Sequence, residues 1–435
     1  MSPTHPGPLA RRGPRPLVLH LMLAALCRTA LPAVIASLSS PPSWSGSKRS
    51  NGASPLSRLR PRRLPVPNDP RLADLARRLE ATGRDPTDLA VAAFRVLNAE
   101  DRALIAGIAA YRRHPWRRQL EAPPALWAEG NSCLLDYGAT APGGPSGPPL
   151  LVVPSLVNRA HVLDLMEGAS MLRWLAGQGL RPLLMDWGWP GTEERGFTLT
   201  DYIAGRLERA LITAASLAAG PVVVVGYCMG GLLALAAAQR RPELVRALAL
   251  LATPWDFHAA DPERARALAS LVPLFEPALA LHDALPVDLL QMLFTLLDPF
   301  GVAAKYRAFA RLDPASPRAR LFVALEDWLN DGIPLAAPVA RECLAGWYGR
   351  NDPARGAWRV AGLAVNPRLV PAPTFLAVPS RDRIVPPDSA RPLAALLPKA
   401  TVLAPTAGHI GMVAGSAAEA VLWRPLATWL SSLDT

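Results

Sequence analysis

The chain is short of lysine, which supplies only three of its 46 basic residues. It is also short of charge, with 19% charged against 50% hydrophobic residues and a mean hydropathy of +0.17, which excludes a wholly disordered protein. No uncharged apolar run reaches about 18 residues, so a polytopic helical membrane protein is not expected. The four cysteines (Cys27, Cys133, Cys228, Cys343) are scattered, without a C-x-x-C pair. That argues against a zinc site and against a disulfide-stapled secreted fold. No two histidines stand at ligand spacing and no Gly-rich phosphate loop is present, so neither a metal nor a cofactor is expected.

What is present is a long chain with uneven charge. The 435 residues carry a net +11. Residues 1–121 account for +12 and the remainder for −1. The basicity therefore belongs to the N-terminal segment. It suits a polyanion, an acidic membrane or a phosphorylated substrate. No helix-turn-helix, zinc-finger or RNA-binding signature accompanies it, so nucleic acid is not expected as a partner.

Residues 1–68 read as a basic, Pro/Ser-rich and largely flexible segment with a short apolar helix. The run Leu17–Cys27 after Arg11, Arg12 and Arg15 is similar to the start of an export signal. Arg28 stands where a small-residue cleavage site would lie, which favours a short helix packed on a surface or on the body. Residues 69–133 read as helical. Leu72, Leu75 and Leu79 fall at helical spacing, Asp85-Pro86 forms an N-cap pattern, and Leu89, Phe94, Leu97, Leu104, Ile105 and Ile108 continue a stripe into Tyr111. Arg112–Arg118, with four arginines around His114, Pro115 and Trp116, reads as a solvated helix end or as an anion or interface contact.

From Leu134 short apolar runs alternate with helical stretches. Strands are expected at 150–153, 182–185, 222–225, 247–251, 374–378 and 400–403, and helices at 163–178, 202–218 and 232–239. Such alternation implies a mostly parallel sheet with helices on both faces.

Four valines, then Gly226-Tyr227-Cys228-Met229-Gly230-Gly231, then an alanine-rich helix, form the strand–turn–helix setting of a nucleophile elbow. The glycines relieve clashes in a strained turn, and the Met229 amide points at a developing oxyanion near the positive helix end. A thiol there is biased towards thiolate. Chain order then expects an acid and a histidine. Asp382 follows a strand, and His409 stands 27 residues later in a glycine-flanked loop. His409 is the candidate base and Asp382 its orienting partner; Asp388 is the local competitor. Asp382 stands 154 residues after Cys228, farther than a minimal fold of this kind needs, and the insertion at about 254–370, with apolar helical runs at 268–281, 287–297 and 319–329, reads as a helical cap. Trp187, Trp189, Trp255, Trp328 and Trp347 are candidates to line an apolar channel or to sit in the core.

These motifs together resemble the polyhydroxyalkanoate synthases, cysteine-nucleophile relatives of the α/β-hydrolases, over roughly residues 134–425. Besides the elbow, the likeness rests on Pro154-Ser155-Leu156-Val157-Asn158-Arg159 with Leu163-Asp164-Leu165, Asp186-Trp187-Gly188-Trp189-Pro190, Trp328-Leu329-Asn330-Asp331-Gly332, and Asp382 with Ile384-Val385-Pro386-Pro387 and Gly408-His409-Ile410-Gly411. The resemblance implies an α/β-hydrolase fold with a helical cap and a helical N-terminal extension. It implies Cys228 as acyl acceptor, His409 as base and Asp382 as its partner, with backbone oxyanion donors at Met229, Leu156 and Val157. It further implies substrate contacts at Asn158, Asp186, Trp187 and Asp331. The implied substrate is an (R)-3-hydroxyacyl-CoA and the product a polyester. The protein would be cytoplasmic, attached to the granule surface, and either a homodimer or paired with a second synthase subunit. Two other readings remain open: a Cys-nucleophile hydrolase, such as a polyester depolymerase or thioesterase, and a non-catalytic granule protein.

Overall fold

The computed structural model describes residues 11–38, 74, 77–78, 81–83 and 86–433. Leu72, Leu75, Leu79, Asp85 and the 39–67 linker lie outside the described residues, as does the side chain of Cys27. The chain divides into two compact units.

The first unit holds described residues 11–16, 114–298 and 312–433. It is built on one eight-stranded sheet: β1 (Ala125–Glu129), β2 (Ser132–Asp136), β3 (Pro149–Val153), β4 (Arg181–Asp186), β5 (Val222–Tyr227), β6 (Val245–Leu251), β7 (Thr374–Ala377) and β8 (Ala400–Leu403). In space the order is β1-β2-β4-β3-β5-β6-β7-β8. β2 runs antiparallel to both neighbours, and every pairing from β4 to β8 is parallel. Parallel strands covered on both faces need apolar side chains in both directions. Val222 and Val224 accordingly enter one core, with Leu151, Val153, Leu183 and Met185. Val223 and Val225 enter the other, with Leu150, Val152 and Leu184.

Three expectations are corrected here. The sheet begins at Ala125, inside the segment read as helical, because Gly130 at φ 55° lets β1 turn directly into β2. No helix spans 163–178. Asp164–Met166 and Ala169–Ser170 pair as a short hairpin around Gly168, and the helix is only Met171–Gly177, capped by Ser170 accepting from the Arg173 amide. The cap run 268–281 is two helices, Pro262–Ala269 and Val272–His282. Further cap helices are Val287–Thr295, Pro317–Asn330 and Ala337–Arg341, the last continuing as wide turns over Glu342–Arg350.

Asp164 is fully buried and sits between two arginines. Arg118 Nη2 donates to it at 2.7 Å, Arg173 Nε at 2.8 Å and the Tyr137 hydroxyl at 3.1 Å. Satisfying a buried carboxylate in this way is what makes its burial tolerable. The basic stretch before 118 thus ends in an internal ion pair. The N-terminal arginines are also engaged: Arg11 Nε donates to Asp327 at 2.7 Å and Arg15 Nε to Asp288 at 2.8 Å.

The second unit holds described residues of 17–113 together with 299–311, so the last stretch leaves the expected cap. The apolar helix runs Leu17–Leu38, longer than the expected 17–27, and Arg28 pairs with Asp101. In Pro86–Arg113 the buried stripe is Leu104, Ile108 and Tyr111, whereas Phe94 and Ile105 are exposed. Gly107 is required by close approach: a Cβ there would lie 2.0 Å from the Tyr306 carbonyl of the helix Gly301–Phe309. Among the described residues no helix is long and apolar enough to cross a membrane.

Candidate active site

Cys228 sits at the end of β5, with φ 56° and ψ −128°. A non-glycine residue in this region costs on the order of 1–3 kcal/mol and persists only when its surroundings enforce it. Here the Cys228 amide donates to the Leu251 carbonyl at 2.8 Å, and its own carbonyl accepts from Gly231 at 3.0 Å. The surrounding glycines are sterically required. A Cβ on Gly226 would meet Gly231 Cα at 2.5 Å, one on Gly230 would meet the Val153 carbonyl at 2.2 Å, and one on Gly231 would meet Thr253 Oγ1 at 1.9 Å. The helix Met229–Arg240 starts immediately, so the Met229 amide has no partner within the helix.

His409 and Asp382 come from the loops after β8 and β7 and are both buried. His409 Nδ1 donates to Asp382 Oδ2 at 2.6 Å. The other carboxylate oxygen accepts from the amides of Ile384 at 2.8 Å and Val385 at 2.9 Å, which fixes its direction. The Ile384-Val385-Pro386-Pro387 stretch is therefore the clamp that holds this carboxylate. Burial opposes a charged imidazole. The charge and hydrogen bond of Cys228, together with the Asp382 hydrogen bond, outweigh it and hold the His409 pKa well above the ordinary histidine value. Cys228, His409 and Asp382 are thus brought together with the histidine in the middle, although the acid precedes the histidine in the sequence. Asp388, the competing acid, forms an exposed pair with Arg391 at 2.7 Å.

An apolar cavity of about 270 Å³ opens on Cys228 beneath the cap. Ser155, Val157 and Met229 line it together with Cys228, Leu290, Leu293 and Leu344 form part of its wall, and Arg264 and Arg383 border it. Of the five tryptophans only Trp347 lines it. Trp187 and Trp255 are buried in the first core and Trp328 in the second.

The residues expected to contact substrate are placed differently. Asp186 Oδ1 accepts from the Gly188 amide at 3.0 Å and closes a turn. Trp187 is buried, its Nε1 donating to the Pro154 carbonyl at 3.0 Å. Asp331 pairs with Arg159 at 2.7 Å. Asn158, at φ 64°, turns the loop and faces Gln291 Nε2 at 3.5 Å. None of the four lines the cavity; their motif positions shape the backbone beside it. Val157, expected as an oxyanion donor, spends its amide on Ser155 Oγ at 3.0 Å.

Two residues that the motifs did not single out matter. Tyr227 lies against the His409 ring, centroids 5.2 Å apart, and its hydroxyl donates to the His409 carbonyl at 3.3 Å. Tyr348 borders the cavity near Cys228, and burial pushes its hydroxyl pKa up, so it stays a neutral donor. Tyr227 was readable as the residue before the nucleophile. Tyr348 had no signal, because the cap brings it in from 120 residues away. Among the described residues no group of His, Cys, Asp and Glu is arranged to hold a metal ion.

A family profile described as the alpha/beta hydrolase fold matches residues 148–415. The poly(3-hydroxyalkanoate) polymerase subunit PhaC of Allochromatium vinosum is 29% identical over 71% of this chain and 87% of its own length. The protein of the same name from Thiocystis violacea is 28% identical over the same shares. That from Synechocystis sp. is 29% identical over 65% of this chain and 77% of its own.

Proposed function

The chain belongs to the α/β-hydrolase fold family, and on that premise we propose that it is an acyltransferase. It joins (R)-3-hydroxyacyl groups from their CoA thioesters into polyhydroxyalkanoate and releases CoA. The observation that carries the reading is a cysteine, where a serine would serve hydrolysis, set at the elbow against the buried His409–Asp382 pair and opening into an apolar cavity under a cap. Its likeness to polymerase subunits over most of their length supports the same reading.

The chemistry follows from the thiol. A thioester donor and a thiol acceptor lie close in energy, so an acyl group loaded on Cys228 is readily passed on. In the first step the Cys228 sulfur attacks the thioester carbonyl, the bond to the CoA sulfur breaks, and CoA leaves with the proton held by His409. In the second step His409 takes the proton of a 3-hydroxyl group, whose oxygen attacks the Cys228 thioester. An ester bond forms and the Cys228 sulfur departs with the proton. Asp382 keeps Nδ1 protonated, so Nε2 is the nitrogen that takes and gives the proton in both steps. The apolar wall disfavours water, which competes with the hydroxyl for the acyl-enzyme.

On this reading the protein is cytoplasmic and granule-associated, uses no cofactor, and works as a homodimer or with a second synthase subunit. The test is incubation of the purified protein with (R)-3-hydroxybutyryl-CoA, Cys228→Ala serving as control, following free CoA and polymer together. CoA release with growing polyester, absent in the variant, supports the synthase. Cys228-dependent release of CoA with only free hydroxyacid identifies a hydrolase. If neither protein releases CoA, with longer acyl chains and an added partner subunit also tried, the non-catalytic granule protein takes its place.

A further inference from the structure

We propose that the hydroxyl of Ser155, rather than the amide of Val157, is the second donor to the oxyanion that forms when Cys228 is acylated. The proposal deepens the acyl-transfer reading and rests on it.

Four observations converge on Ser155. It stands two residues beyond β3, in a loop locked against the first turn of the elbow helix, where a Cβ on Gly230 would lie 2.2 Å from the Val153 carbonyl and 2.5 Å from that of Pro154. It lines the same cavity as Cys228 and Met229. It is 9% exposed, so solvent scarcely reaches it. Its Oγ accepts the Val157 N–H at 3.0 Å, while among the described residues its own O–H has no acceptor. A buried hydroxyl with an unused proton is a group awaiting a partner.

The consequence is a division of labour within three residues. The Val157 amide, already committed, polarises the Ser155 oxygen and strengthens its O–H as a donor. When the sulfur attacks, the carbonyl π pair moves onto oxygen. Ser155 and the Met229 amide then both donate hydrogen bonds to that oxygen. The Ser155 proton stays on Ser155 throughout, and the lone pair returns to re-form the carbonyl as the leaving group departs. Ser155 is therefore a catalytic residue in the strict sense, in contact with a reacting atom.

The test measures two reactions of the same sulfur in the full-length protein: single-turnover acylation by p-nitrophenyl butyrate, which passes through an oxyanion, and alkylation by iodoacetamide, which does not. Ser155→Ala is expected to slow acylation about 10²–10³-fold, the usual loss for one oxyanion donor, and to leave alkylation within about twofold. Ser155→Thr, which keeps the hydroxyl, is expected to recover most of the acylation rate. Acylation of Ser155→Ala within about threefold of the parent protein overturns the proposal and returns the role to the backbone amide. A parallel loss of acylation and alkylation also overturns it, because Ser155 then only supports the elbow. If the parent protein is acylated by the ester but releases no CoA from hydroxyacyl-CoA, the synthase reading fails while the Ser155 assignment is still decided by its own two rates.

Discussion

Replacing Asp382 by asparagine changes one atom and reverses a hydrogen bond. In the parent protein three donors converge on this carboxylate: His409 Nδ1 at 2.6 Å and the amides of Ile384 and Val385 at 2.8 and 2.9 Å. The two amides hold one oxygen and will keep holding the oxygen of an asparagine. The NH₂ group must then face His409 Nδ1, which forces that nitrogen to accept and moves the ring proton to Nε2, towards Cys228. The charge-assisted bond to imidazolium, worth about 1.5–3 kcal/mol, is lost as well. That term alone is roughly 10–150-fold in rate, and the misplaced proton brings the total to about 10³–10⁴-fold, the loss seen when the same change is made in other triads. The assay is single-turnover release of CoA from hydroxybutyryl-CoA, with iodoacetamide alkylation measured across pH in parallel. Acylation is expected to collapse. Alkylation at neutral pH is expected to fall too, because His409 loses one of the interactions that keep it charged. Acylation within about threefold of the parent rate refutes the role given to Asp382.

Because the His409 pKa is raised from 6.5 to about 10 in the folded state, its contribution to stability is fully present below the unfolded value and is lost as pH rises through the folded one. The melting-temperature gap between the parent and His409→Gln is therefore expected to be widest below about pH 6.5 and to narrow towards pH 10. Gly231→Ala sets a methyl group 1.9 Å from Thr253 Oγ1 and is expected to cost about 1–3 kcal/mol in urea unfolding, with the elbow displaced and acylation lost. Asp164→Ala removes a fully buried carboxylate and leaves Arg118 and Arg173 with backbone carbonyl partners alone, and is expected to cost about 3 kcal/mol, readable in the same unfolding experiment. Asp331→Ala removes a half-exposed ion pair away from the cavity, so its rates are expected to stay within about twofold of the parent.

The features most legible in the sequence were those encoded locally. Four valines followed by Gly-Tyr-Cys-Met-Gly-Gly announce a buried strand and a strained turn, because few residues other than glycine fit where Gly226, Gly230 and Gly231 stand. Asp382 and His409 were found because each follows an apolar strand run, and the sheet topology brings those strand ends together. The 163–178 stretch misled because its apolar residues suit either a helix face or a buried hairpin. Gly168 and the buried Asp164 decide for the hairpin. Asp186, Trp187 and Asp331 were legible as motifs but not as roles. The Asp-Trp-Gly at 186–188 closes a turn, and none of its side chains lines the cavity. Ser155 and Tyr348 depend on long-range packing of the β3 loop and the cap, which no local pattern reports.

The central claim is that Cys228 carries the acyl group. Rapid acid quenching of the protein with (R)-3-hydroxybutyryl-CoA, followed by mass spectrometry of its peptides, tests it directly. The account predicts a hydroxyacyl adduct on the peptide containing Cys228, absent from Cys228→Ala and absent from peptides containing Cys133 or Cys343. An adduct on another residue, or CoA release that survives in Cys228→Ala, contradicts it.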